Sequence, residues 1–130
     1  MGAKTDPNDR ALVARWHGLL DRHARATSAL ERALDEHGLG VSEFEVLERL
    51  CEADEQDCRM QTLADEIHLS QSALSRVVGR LEEQGLVTRA ICRDDRRGIY
   101  ATITDEGRAR CAAARPVHRA VLNAVLGDLL

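Results

Sequence analysis

At Gly85 the spacing of apolar residues changes period, and this change constrains the chain more than any other feature. Before it, apolar side chains recur in steps of three and four; after it, they alternate. Thr62-Leu63-Ala64-Asp65 reads as the cap of a short helix, with Leu63, Ala64 and Ile67 inward. Ser70 caps a second helix that Gly85 ends. Leu74, Val77, Val78 and Leu81 give it a buried face, while Gln71, Ser72, Ser75, Arg76, Gly79 and Arg80 make the other face small, polar and positive. Leu86 to Cys92 and Ile99 to Ile103 then read as strands around a charged tip, Arg93-Asp94-Asp95-Arg96-Arg97-Gly98. Two short helices on a tight turn, followed by a hairpin with a basic tip, make a winged helix-turn-helix. The expected fold class is mainly α with a small β-hairpin wing.

The flanking sequence supplies longer helices. Leu12, Val13, Trp16, Leu19, Leu20, Ala24, Thr27, Leu30 and Leu34 mark one apolar stripe, which runs to about His37, where Gly38 can take the left-handed stop. Ser42-Glu43-Phe44-Glu45 is a capping box, and it predicts a helix buried through Phe44, Leu47 and Leu50. Ala53 to Asp57 reads as a charged loop. Thr104-Asp105-Glu106 caps a last, Ala-rich helix whose acids suit the dipole, and Pro116 is expected to kink or break it. With only Trp16, Phe44 and Tyr100 as aromatics, the core of this 130-residue domain must be aliphatic.

Net charge, taken alone, argues against nucleic acid, because it is -4. The average hides a split. Residues 31–58 carry ten acids against two arginines, whereas residues 59–97 carry seven arginines against six acids. Lys4 is the only lysine, so the positive charge is almost all guanidinium, whose planar fork suits phosphates and guanine edges. One helix fits the major groove, where the base edges differ, and the start of the second helix places Gln71, Ser72, Ser75 and Arg76 there. Arg80 lies on the same polar face. Ser70 offers a helix N-terminus to a phosphate, and Arg93, Arg96 and Arg97 can reach the backbone or the minor groove.

Two runs, Leu63-Ala64-Asp65-Glu66-Ile67-His68-Leu69-Ser70-Gln71-Ser72 and Arg80-Leu81-Glu82-Glu83-Gln84-Gly85-Leu86-Val87, resemble the MarR family of bacterial repressors. So do Asp95-Arg96-Arg97 and Ile103-Thr104-Asp105-Glu106-Gly107. The similarity spans about residues 10–130. It implies a single regulator domain over residues 1–130, with dimerisation helices at about 9–37 and 105–130 and a DNA-binding lobe at about 42–103. It further implies a homodimer on a pseudo-palindromic operator, released by a small effector, aromatic compounds included. Arg97 takes the place of the wing arginine that enters the minor groove, and Asp95 that of the residue fixing the loop. The sequence departs from the pattern where the wing begins, at Cys92-Arg93 instead of Asp-Pro, and it stops at Leu130, near where a further C-terminal helix completes the family's dimer.

The resemblance places an effector pocket between the dimerisation helices and the lobe. Arg15 would pair a carboxylate there, Trp16 would stack a ring, and His17 or His23 would bond a hydroxyl. The competing reading puts Trp16 in the core or a dimer interface and the others on the surface. Cys51, Cys58, Cys92 and Cys111 lack Cys-x-x-Cys spacing and read as free thiols, with Cys51 at the end of the helix that buries Phe44 and Cys58 after the charged loop able to come near each other. A thiol-based redox regulator is one alternative function, and a winged-helix protein-interaction module without DNA binding is another. The five histidines are scattered, so no metal and no cofactor is expected. No phosphate loop or nucleophile-base motif suggests an enzyme. No apolar run of membrane length and no apolar N-terminal segment occur, so the expected location is cytoplasmic.

Overall fold

Helix α1 (Pro7–Asp35) sets the longest dimension of the molecule, because its 29 residues make a rod of about 43 Å. It belongs to a computed structural model that describes residues 6–53, 57–91 and 98–129. Asp6 caps the rod by accepting from the Asn8 amide at 2.9 Å, with Pro7 at the first helical position, where its missing N–H costs nothing. Gly38, at φ +69°, makes the left-handed stop after it.

The rest follows as α2 (Val41–Glu52), β1 (Asp57–Arg59), α3 (Met60–Glu66), α4 (Gln71–Glu83), β2 (Val87–Ile91), β3 (Ile99–Ile103) and α5 (Asp105–Leu126), with a 3-10 turn at Gly127–Leu129. Phe44, Leu47, Leu50, Leu63, Leu74, Leu81 and Leu86 are fully buried at the centre of the α2–α4 lobe, and Leu34 from α1 joins them. The core is aliphatic around one aromatic ring, as the composition requires. The wing strands pair antiparallel, with Val87 opposite Ile103 and Ile91 opposite Ile99.

Four local expectations need correction. Helix α2 begins at Val41 with Gly40 as its cap, so Ser42 sits inside the first turn and its box is not the start. Helix α3 begins at Met60 behind Arg59 without a side-chain cap, two residues before the Thr62 motif. Asp57 is not loop but opens β1, which adds to β3 and gives a sheet of order β1-β3-β2. Helix α5 runs unbroken through Pro116. Burial of Cys111, Ala114 and His118 along the same helix offsets the cost of an interior proline, roughly 3 kcal/mol.

The start of α5 is locked to the wing. Thr104 Oγ1 accepts from the Gly107 amide at 3.0 Å and donates to the Gly85 carbonyl at 2.8 Å. Gly107 then lies so close to the wing that a Cβ there would stand 2.2 Å from the Leu86 carbonyl oxygen.

Candidate nucleic-acid interface and effector groove

Helix α4 is seated by Leu74, Val77, Val78 and Leu81, and this fixes which residues face outward. Gln71, Ser72, Ser75 and Arg76 are all exposed on one side. Ser70 is the cap: its Oγ accepts from the Ala73 amide at 3.1 Å and lies 3.3 Å from the Ser72 hydroxyl. Among the described residues Arg76 makes no ion pair, so its guanidinium is available to a ligand. Arg80 is placed differently. Its Nε donates to Glu43 Oε1 at 3.2 Å, and Gln84 donates to the other oxygen at 3.4 Å, so α2 holds that cation. Arg93, Arg96 and Arg97, together with Asp95, lie outside the described residues.

The turn before α4 holds a feature that the sequence does not signal. His68 has φ +59°, a left-handed conformation usually left to Gly or Asn. The backbone bonds Ile67 N to Leu63 O and Leu69 N to Ala64 O, both at 3.0 Å, wind the chain through that point. Such conformations cost about 1–3 kcal/mol and persist where the surroundings impose them.

A groove of roughly 770 Å³ runs between the helical arm and the lobe. Its apolar lining includes Leu19, Leu30, Val41, Ile67, Leu69 and Leu122; His23, Glu31, Glu45 and His68 supply polar groups. Burial pushes the Glu45 carboxyl above its usual range. Of the four residues expected to meet an effector, His23 lines the groove. Arg15, Trp16 and His17 do not; they lie nearer the start of α1, where every residue from 11 to 20 is exposed. Groove residues such as His68 and Leu122 are not assigned to an effector site from the sequence, since they come together only through tertiary packing.

The thiol beside Cys51 is Cys111, not the nearer-in-sequence Cys58. Burial first, then the neighbouring Cys51, pushes the Cys111 thiol up to about 12, far from thiolate chemistry at neutral pH. Burial also raises the Cys58 thiol. No group of three or more His, Cys, Asp or Glu among the described residues is arranged to hold a metal ion.

A two-helix reader with a β wing, carried on two longer helices, defines a winged helix-turn-helix regulator. Comparison with known proteins gives the same class. A family model described as MarR family matches residues 37–98. The crystal structure of AbsC, a MarR family transcriptional regulator from Streptomyces coelicolor, superposes with a TM-score of 0.85 at 30% identity, covering 99% of this chain and 85% of that one. Sco3205 from the same organism, a MarR family transcriptional regulator solved in complex with DNA, also gives 0.85, at 27% identity over 100% of this chain and 80% of that one. CouR from Rhodococcus jostii RHA1, solved with p-coumaroyl-CoA bound, gives 0.71 at 29% identity over 89% and 76%.

The chain belongs to the MarR family and is a DNA-binding transcriptional regulator. No helix among the described residues is long and apolar enough to cross a membrane.

Proposed function

We propose that the chain is a cytoplasmic homodimeric repressor that reads a pseudo-palindromic operator and leaves it when a small ligand fills the groove. The observation that carries the dimer is on α1. Its second half buries Ala26, Leu30 and Leu34, while its first half leaves Leu12 54%, Val13 52%, Trp16 58% and Leu19 61% exposed. These residues continue one helical stripe, so the same face that meets the lobe below asks for a partner above. A second copy supplies it through the arms of α1 and α5. The two recognition helices must then stand about 34–36 Å apart to read half-sites one turn apart.

Base reading falls to Gln71, Ser72, Ser75 and Arg76, which are exposed. Ser70 is occupied with capping and Arg80 is held by Glu43, so both contribute at the flank. Arg93, Arg96 and Arg97 supply the wing's positive charge, and Arg97 enters the minor groove. The solved complex of Sco3205 with DNA supports this reading. The effector groove takes a small molecule with an apolar body against Leu30 and Ile67 and a polar group toward His23 or His68. CouR, which binds p-coumaroyl-CoA, supports a ligand-responsive regulator. A ligand that prefers a different helix separation shifts the population away from DNA by no more than its difference in affinity for the two states.

A mobility shift on the gene's own upstream DNA tests the reading. Arg97→Ala is expected to weaken binding to every sequence and lower the salt slope by roughly one unit. Arg76→Ala should also relax base preference; an equal loss on all sequences makes Arg76 a phosphate contact instead. Absence of binding at low salt by the unaltered protein overturns the DNA reading.

A further inference from the structure

Arg89 leaves the first wing strand and lies across the polar face of the recognition helix. Its Nε bonds Glu82 Oε1, and its Nη1 donates to Ser75 Oγ at 3.2 Å. A Cβ at Gly79 would stand 3.7 Å from Nη2, so the guanidinium rests over the position where α4 has no side chain. One side chain from β2 therefore bonds the helix at 75 and 82 and lies over 79, successive positions of a single stripe. Ser75 belongs to the exposed group that faces DNA, and Arg89 and Glu82 both keep a third of their side-chain surface accessible.

We propose that Arg89 is a positioning residue that sets what Ser75 reads and masks the Glu82 carboxylate at the DNA-facing edge. The inference rests on the DNA reading above and deepens it. A guanidinium can only donate, so Ser75 Oγ is the acceptor in this contact. A free serine hydroxyl serves either as donor or as acceptor toward a base. With one of its two lone pairs committed to Arg89 and its O–H turned away from that cation, Ser75 is biased toward donating. Ser75 then favours acceptors, namely phosphate oxygens, purine N7, guanine O6 and thymine O4, over the amino groups of cytosine and adenine. The second consequence is electrostatic. Unmasked, Glu82 would face the phosphates as a like charge, which costs affinity at an interface rim.

This role differs from a direct phosphate contact in what each variant does. On a duplex selected by the unaltered protein, Arg89→Ala is expected to weaken binding about three- to tenfold, most at low salt, because the unmasked carboxylate repels the phosphates. Adding Glu82→Gln to that background should recover most of the loss, because the repelling carboxylate is gone. Base discrimination at one operator position should relax equally in Arg89→Ala and Ser75→Ala. A loss in Arg89→Ala that Glu82→Gln does not recover, with base discrimination unchanged, makes Arg89 a phosphate contact and overturns the proposal.

A DNA-free measurement separates the two readings. In the free protein the Arg89 Nε–H proton resonance is expected to be shifted downfield and protected from exchange, and to lose both features in Glu82→Gln. An Arg89 signal indifferent to that substitution means the clamp does not form, and the proposal falls even if the protein binds DNA. If the unaltered protein binds no duplex while the Arg89 signal responds, the DNA reading fails and Arg89 is only a structural clamp.

Discussion

The lobe and the arm solve the burial problem in different ways. In the lobe, α2, α3, α4 and the wing enclose Phe44, Leu47, Leu63, Leu74 and Leu81 with no exposed surface at all. Along the first half of α1, side chains just as apolar stand in water. The contrast teaches that the lobe is a finished domain, while the arm, in the dimer we propose, is half of an interface. The proposed reading groups sit on the finished part and the apolar stripe on the unfinished part. The proposed recognition and assembly surfaces are thus separated along the chain and joined through α5, which packs on both α1 and α2.

The most damaging break is in the lobe. Phe44→Ala removes a fully buried ring that stacks on His118 at 4.4 Å, and should cost roughly 3–5 kcal/mol, measured by denaturant unfolding. A loss under about 1 kcal/mol would mean the lobe is less finished than its burial indicates. Leu19→Asp attacks the arm instead. Our reading expects about 2 kcal/mol or more of lost dimer affinity, read by sedimentation, with the helical signal of the lobe retained. If this variant assembles like the unaltered chain, the stripe is not the interface.

Two further changes probe the joint between the regions. Gly107→Ala drives a methyl group into the Leu86 carbonyl and should cost about 1–3 kcal/mol. An unchanged melting temperature would show that the start of α5 can shift freely. The smallest effect concerns pH. Burial against Phe44, and then the Arg119 cation, hold the His118 imidazole below its ordinary 6.5. The unfolded chain takes up this proton first, so the contribution of His118 to stability is complete above pH 6.5 and declines as pH falls below it. His118→Phe should flatten the stability profile between about pH 5 and 6.5; an identical slope assigns it to other groups.

Much of this was legible in the sequence, for reasons that can be traced to particular residues. The period change at Gly85 marks the wing, and Thr104 caps α5 as its chemistry predicts, because both signals are local. Strand β1 was not legible. Three residues, Asp57 to Arg59, carry no period, and their pairing with residues 100–102 is made by the fold. The tolerance of Pro116 and the left-handed His68 likewise come from tertiary packing that overrides local preference. The exposed face of α4 could be read from its periodicity, but the diversion of Arg80 to Glu43 could not, because its partner lies 37 residues away. Arg89 falls on the strand that the alternation predicts, and its ion pair with Glu82 is made by the fold. Its hold on Ser75 adds a role that spacing does not reveal.

Sedimentation of the full chain with labelled upstream DNA, across a salt series, tests the central claim most directly. The account predicts two chains on each duplex, affinity that falls steeply as salt rises, and loss of the complex when Leu19→Asp separates the arms. A complex with a single chain, or the same occupancy in the Leu19→Asp variant, would contradict it.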